Sequence, residues 1–260
     1  MHLKDKVAVV LGASAAAGTG WAIAERYAAE GAKVVVAARR EAQLGVLARR
    51  IGGVSQVCDL AKEQDIKALA ERVLDVHGRV DIAVNAAGIP MGGTIADTPH
   101  DQTVRSIEVN YYGNLFFVKH MAAAMAQGGS IILFSSMAST HALEHVYSYA
   151  CAKAATDCLV RYAALEYGKR GIKVNSILPG AIRSEMSHAL WAIEDMERAW
   201  AREVPLGRIG TPADFADAAV WLGGPSFVTG LNLQVNGGNH LTRFPLFDER
   251  PSLDGVDPTA

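Results

Sequence analysis

The sequence predicts a single doubly wound α/β domain around a parallel sheet of about seven strands. Two observations carry this. Short apolar, largely β-branched runs alternate along the chain with longer stretches of helical periodicity. A glycine-rich turn follows the first of those runs directly.

The strand-like runs are Val7–Leu11, Val34–Ala38, Val54–Cys58, Val80–Val84, Ser130–Phe134, Lys173–Leu178 and Leu231–Val235. Most are apolar throughout, as strands covered on both faces require. Helical patterns lie between them over Trp21–Glu30, Glu41–Arg50, Lys62–Val76, Asp101–Gln127, Tyr149–Gly168 and Pro212–Leu222. Such alternation implies right-handed crossovers that place helices on both faces of the sheet. No fixed-period repeat and no linker interrupt residues 1–242, which we take as one domain. The tail, 243–260, is rich in Pro and Asp and lacks periodicity, so it is expected to be poorly ordered or to pack on another subunit.

Half of the 260 residues are apolar and a fifth are charged, the balance of an ordinary globular protein. The net charge of −2 is spread along the chain, which argues against nucleic acid and anionic membranes as partners. The pairs Arg39–Arg40 and Arg49–Arg50 read as solvated surface in that respect. No uncharged apolar stretch is long enough to span a bilayer. The cysteines, Cys58, Cys151 and Cys158, are odd in number and match no zinc spacing. We expect buried free thiols, no metal and a reducing, cytoplasmic location. The segment Met1–Lys6 leads straight into the first strand, without the pattern of a secretory leader.

The turn after the first strand reads Gly12-Ala-Ser14-Ala-Ala-Ala-Gly18-Thr19-Gly20. Glycines are needed where a backbone turns tightly against a pyrophosphate and the next helix aims free N–H groups at the anion. That is the requirement of a dinucleotide. The second strand ends Ala37-Ala38-Arg39-Arg40. Ala38 stands where an acid would hold the ribose 2′-hydroxyl of NAD, and Arg39 is placed to meet a 2′-phosphate. NADP(H) is therefore expected, with NAD(H) as the alternative.

Of seven tyrosines only Tyr149 has a lysine four residues on, Lys153. On a helix this spacing puts both side chains on one face. A phenol titrates near 10, too high for easy proton exchange at neutral pH. A neighbouring cation favours the phenolate and lowers that value, so the pair can serve as a general acid/base.

Further motifs follow in order. They are Cys58-Asp59-Leu60, Asn85-Ala86-Ala87-Gly88, Val109-Asn110, Ser135-Ser136, Tyr149-Ala-Cys-Ala-Lys153, Val174-Asn175 through Pro179-Gly180, Pro205-Leu206-Gly207-Arg208, Val228-Thr229-Gly230 and Asn236-Gly237-Gly238. Together with the glycine turn, this ordered set resembles the short-chain dehydrogenase/reductase family over residues 4–240. The resemblance implies a Rossmann-type sheet and a hydride transfer between a nicotinamide cofactor and a carbonyl or alcohol carbon.

Its roles carry over residue by residue. Tyr149 would exchange the proton, and Lys153 would lower its pKa and bond the nicotinamide ribose. Ser136, thirteen residues before Tyr149, would hold the substrate oxygen. Asn110 resembles the asparagine that kinks its helix and holds a water behind the lysine. Gly12, Ser14, Gly18, Thr19 and Gly20 would line the pyrophosphate and adenosine ribose. Asp59 with Leu60 would meet the adenine, and Asn85, Ala86 and Gly88 the neighbouring part of the cofactor. Pro179, Gly180, Ile182 and Ser184 would frame the carboxamide.

The chain departs from the family pattern in four places. Five residues, Ala13 to Ala17, separate the first two glycines where three are usual. Leu11, Ala86 and Asn236 replace a common threonine, asparagine and aspartate.

Residues 184–204 correspond to the family's helical substrate lid. Met186, Leu190, Ile193 and Trp200 recur near helical spacing, with Trp191 beside them, and offer one amphipathic face. The pocket is expected to take in Met91, Met137, His145, Met186, Leu190 and Trp191, and the two segments across the cleft, after Gly88 and before Tyr149, hold no lysine or arginine for an anionic substrate. An uncharged, lipophilic ketone, aldehyde or alcohol follows. The resemblance also implies a homo-oligomer, tetramer or dimer, through the helices Asp101–Gln127 and Tyr149–Gly168. An NAD-dependent alcohol dehydrogenase, an enoyl-thioester reductase and a silent dinucleotide sensor are the rivals. Enoyl reductases share atypical glycine turns, but their tyrosine and lysine lie six apart, not four.

Overall fold

The computed structural model describes residues 1–126 and 128–251. Seven parallel strands form one sheet in the order β3-β2-β1-β4-β5-β6-β7. They are β1 (Val7–Leu11), β2 (Lys33–Ala38), β3 (Val54–Val57), β4 (Ile82–Asn85), β5 (Gly129–Phe134), β6 (Ile172–Pro179) and β7 (Asn232–Val235). Each expected strand is present, and the doubly wound class is the one the sequence predicts. The chain reverses its direction of travel across the sheet between β1 and β4, so a crevice opens beyond their carboxyl ends.

Period-two alternation divides the core. Val7, Val9 and Leu11 face one layer with Phe117, Met121 and Val160, while Ala8 and Val10 face the other with Ile23, Tyr27 and Phe215. The covering helices are α1 (Thr19–Ala29), α2 (Glu41–Ile51), α3 (Glu63–His77), α4 (His100–Ile107), α5 (Gly113–Ala124), α6 (Tyr147–Tyr167), α7 (His188–Trp191), α8 (Met196–Ala201) and α9 (Pro212–Gly223). No helix among the described residues is long and apolar enough to cross a membrane.

Four expectations need correction. The helix expected over Asp101–Gln127 is broken: a π turn, Glu108–Tyr112, separates α4 from α5, and Gln127 lies outside the described residues. Asn110 sits at its centre, and the cause is tertiary. The main-chain oxygen of Asn110 accepts from Thr156 Oγ1 at 3.0 Å and Asn114 Nδ2 at 2.8 Å, outside the α-helical ladder. The lid is not one amphipathic helix. A 3-10 turn (Glu185–Ser187), α7 and α8 share it, and Asp195 divides α7 from α8 in the left-handed region at φ 61°. Of the cysteines only Cys58 is buried; Cys151 and Cys158, seven apart on α6, lie on its exposed face. The tail packs on its own chain as far as it is described. Phe244 is buried against Trp200, with ring centroids 5.6 Å apart, and Arg243 forms a double contact with Glu249. Residues 252–260 lie outside the described residues.

One cap positions the cleft. Thr211 N-caps α9 in a capping box with Asp214, whose carboxylate also receives both terminal nitrogens of Arg208 at 2.8 and 2.7 Å. Just before it, Gly210 donates to Ala181 at 2.9 Å and accepts from Arg183 at 2.8 Å. The segment after β6 is thereby pinned beside α9. The Arg208 guanidinium, with Thr211, holds the Asp214 carboxyl well below the ordinary carboxylate range. Its stabilising contribution is complete above the unfolded value, near 4, and is lost as pH falls through the depressed folded value. Asp214→Asn is expected to cost about 1 kcal/mol at pH 7 in denaturant unfolding, with the gap closing below about pH 4.

Candidate active site

The crevice beyond β1 and β4 is lined by Gly12, Gly18, Thr19, Gly20, Ala86, Gly88, Ser136, Tyr149, Lys153, Pro179, Gly180, Ile182 and Ser184, all named from the sequence. Ala15, Ala87, Ile89, Phe134 and Ser135 complete it; of these, Ile89 is expected from the sequence as an apolar residue across the cleft and the others have no role assigned there.

The glycine turn is built by contact. Gly12 has φ 92°, and a Cβ there would stand 2.6 Å from the Ala87 nitrogen. A Cβ on Gly20 would stand 2.7 Å from the Gly12 carbonyl carbon. Helix α1 begins at Thr19 behind Gly18, and no side chain caps it. Its first N–H groups therefore face the crevice with no side chain in the way, a cradle suited to a pyrophosphate.

Helix α6 supplies Tyr149 and Lys153. The Lys153 ammonium is buried, donates to the Phe134 carbonyl at 2.7 Å and lies 5.4 Å from the Tyr149 ring centre. Burial lowers its pKa to about 8, opposed by the charge of Asp157. Burial pushes the Tyr149 phenol up, and a hydrogen bond with Ser136 opposes this. The depression expected from Lys153 is not what the site shows: burial dominates, and the hydrogen bond that opposes it comes from Ser136.

Ser136 precedes the 3-10 turn Met137–Ser139, and its hydroxyl oxygen accepts from the Ala138 nitrogen at 3.1 Å. Asn110 is fully buried and clasps Ile89 through both main-chain groups, at 3.2 and 3.1 Å. It frames the loop that carries Gly88 without lining the crevice itself.

Other expected residues stand apart from the crevice walls. Asn85 is buried, bonded to Asn114 at 2.8 Å and to the Ala87 nitrogen at 3.0 Å. Asp59 accepts from the Ala61 nitrogen within its own loop, and the Leu60 side chain packs in the core. Arg39 is exposed at the end of β2. It is Arg40 that turns toward the extended glycine turn, donating to Ser14 Oγ at 3.1 Å and pairing with Glu185 of the lid at 2.6 Å. Adjacent arginines give no sequence signal for which one turns inward.

On the substrate side, Met137, Met196, Trp200, Ile209 and Phe244 form an apolar cluster, with Leu190 and Trp191 packed against it. The Trp191 indole donates to the Ile182 carbonyl at 2.8 Å and so joins the lid to the crevice wall. Met91 is partly buried in the loop after β4, outside that cluster. His145 is exposed, with φ 64°, and its carbonyl receives the Gly93 nitrogen at 2.7 Å. The Met186 side chain is outside the described residues. The sequence missed Arg250, which the tail lays over Trp200 at 5.9 Å and within 3.5 Å of Glu144.

Residues 12–240 match a family model described as enoyl-(acyl carrier protein) reductase. The 7alpha-hydroxysteroid dehydrogenase of Escherichia coli K12 is 35% identical over 251 residues, covering 92% of this chain and 95% of that protein. A 2,5-dichloro-2,5-cyclohexadiene-1,4-diol dehydrogenase of Sphingobium indicum is 35% identical over 245 residues, covering 91% and 97%. Among solved structures, a short-chain type dehydrogenase/reductase from Mycobacterium ulcerans superposes with a TM-score of 0.90 at 30% identity, covering 95% of this chain and 94% of that one. A variant of an actinorhodin polyketide ketoreductase with NADPH gives 0.85 at 28% identity, covering 91% and 97%.

The contact between Gly20 and Gly12 involves backbone on the strand side, which cannot swing away. Gly20→Ala is expected to cost about 1–3 kcal/mol of stability and to weaken dinucleotide binding at least tenfold by calorimetry. Ala22→Gly on the same helix, clear of that contact, serves as the control and should leave binding near that of the unaltered chain.

Proposed function

The chain belongs to the short-chain dehydrogenase/reductase family, and on that premise we propose that it interconverts a ketone or aldehyde and an alcohol with NADP(H). The observation that carries this reading is the meeting of Ser136, Tyr149 and Lys153 in one crevice with an uncapped helix start and a glycine cradle. The cofactor, when bound, supplies or accepts the hydride. The protein supplies placement and the proton.

Tyr149 is the proton donor in reduction and the acceptor in oxidation. Burial keeps its phenol protonated, which suits donation. Ser136 holds the substrate oxygen beside it. Lys153, as the ammonium, stabilises the phenolate left behind and bonds the cofactor ribose. Asn110 fixes the loop of Gly88 and Ile89 against which the ribose rests. Thr19 and Gly20 receive the pyrophosphate, and Ile182 and Ser184 the carboxamide. Asp59 and Leu60 border the adenine through their loop. Arg39 meets the 2′-phosphate from the open side of β2, and no acid stands at position 38 to repel it.

The apolar cluster of Met137, Leu190, Trp191, Trp200 and Phe244 supports a lipophilic substrate, cyclic or aromatic. The names of two relatives, a hydroxysteroid and a chlorinated cyclohexadienediol dehydrogenase, point the same way. Arg250 is engaged with Glu144 and the Leu246 carbonyl. Exposed apolar residues of the helical face, Tyr112, Tyr162 and Leu165, support a homo-oligomer, and the reading includes a cytoplasmic location. Enoyl-thioester reduction is a second reading, favoured by the description of the family model and the lengthened turn. The four-residue spacing of Tyr149 and Lys153, with Ser136 beside them, favours carbonyl chemistry.

Tyr149→Phe is expected to bind NADPH as the unaltered protein does while kcat falls by at least a hundredfold, about 2.7 kcal/mol of transition-state stabilisation. Turnover above a tenth of the original removes the role from Tyr149. A substrate panel followed by nicotinamide absorbance tests the rest. We expect higher kcat/KM with NADPH than NADH, a preference eroded in Arg39→Ala, and higher kcat/KM for a cyclic ketone than for a small keto acid. Better turnover with NADH, or of the keto acid, overturns the corresponding assignment.

A further inference from the structure

Helix α6 presents one more polar residue on the face of Tyr149 and Lys153. Asp157 follows at the same four-residue interval, so the three occupy successive turns. It is 6% exposed. A buried carboxylate is costly unless its oxygens are satisfied. Here only one is. Ser139 Oγ donates to Oδ2 at 2.5 Å, while Oδ1 is buried without a hydrogen-bond partner among the described residues. The Ser135 hydroxyl also faces the carboxylate, but its single proton is directed to the Lys153 carbonyl at 3.2 Å.

Ser139 closes the 3-10 turn that Ser136 opens. We propose that Asp157 is a positioning residue of the active site, clamping the turn that carries Ser136 to the helix that carries Tyr149 and setting its negative charge against the buried ammonium of Lys153. This rests on the roles given above to Ser136, Tyr149 and Lys153.

The surroundings leave few other candidates for the charge. The cations that act on the carboxylate are Lys153 and Arg161, both on α6. Arg161 spends a hydrogen bond on the Asp157 main-chain oxygen at 2.9 Å. Strand β5 and the 3-10 turn contribute the hydroxyls of Ser135 and Ser139, and β7 contributes the Asn232 amide, 3.4 Å from the same main-chain oxygen. Asp157 is the one charged group acting against the effect of burial on Lys153. A buried carboxylate paired on both oxygens directs its charge to those donors. One left with a surplus acceptor, a helical turn from a buried ammonium, offsets the cost of burying that ammonium.

The two halves separate by substitution. Asp157→Asn keeps the shape and an acceptor for Ser139 but removes the charge. Ser139→Ala removes the clamp and keeps the charge. The Lys153 side-chain titration is followed by NMR, its signal assigned by loss in Lys153→Met. This measurement needs no substrate, so it stands apart from the carbonyl reading. The midpoint, held below the ordinary lysine range by burial, is expected to fall further, by at least about half a pH unit, in Asp157→Asn. The alkaline limb of kcat/KM for reduction should move down with it. In Ser139→Ala the midpoint should hold, while kcat falls about tenfold and KM for the cofactor stays the same. An unmoved midpoint in Asp157→Asn, or full kcat in Ser139→Ala, overturns the proposal. If Asp157→Asn does not fold, Ser139→Ala decides alone.

Discussion

A buried ammonium is the constraint around which this site is arranged. Lys153 reaches from α6 under the end of β5 and donates to the Phe134 carbonyl. Removing such a charge from water is expensive, so what surrounds it has to be polar in the right places and closely packed elsewhere. Ser135 ties the main chain of the lysine back to β5, and Asp157 places an opposite charge one turn on. On the other side, a Cβ on Gly88 would sit 2.9 Å from Asn110 Oδ1 and 3.5 Å from the Lys153 nitrogen. The loop after β4 can close over the lysine because that residue has no side chain.

The π turn belongs to the same arrangement. Thr156 on α6 and Asn114 on α5 both donate to the Asn110 carbonyl, and Asn110 in turn holds Ile89. The helical ladder is broken where the Asn110 carbonyl is taken by side chains instead. Its local cost is met by bonds from two neighbouring helices, which makes the helix pair and the crevice wall one unit.

These dependencies explain what could and could not be read from the sequence. The strands were legible because burial on both faces demands uninterrupted apolar, β-branched residues, and Val7–Leu11 shows that demand directly. Most of the residues lining the crevice were legible because each lies in a short local motif. The break at Asn110 was legible only through the family resemblance, because the bonds that hold the π turn come from residues four and forty-six positions away. Asp195 carries no mark of its left-handed backbone, and helical spacing alone suggested continuity through it. Cys151 and Cys158 looked like core residues by type and lie on the exposed face of α6. Asp157 passed unnoticed because its significance depends on Ser139, which only the fold brings near.

The cleft has two jaws of different construction. One is a single rigid piece: Gly93 pairs with Val146 as an isolated parallel bridge, and Thr103 bonds Tyr147 at 2.9 Å. The loop after β4 and the approach to Tyr149 are therefore joined to each other. The other jaw is jointed, made of short helical pieces divided at Asp195 and held by tryptophan contacts and an exposed ion pair between Arg40 and Glu185. Such a division of labour lets substrate fit be rewritten on the jointed side without disturbing the distance between Ser136 and Tyr149. It places evolvability and catalytic precision on opposite banks of the same crevice.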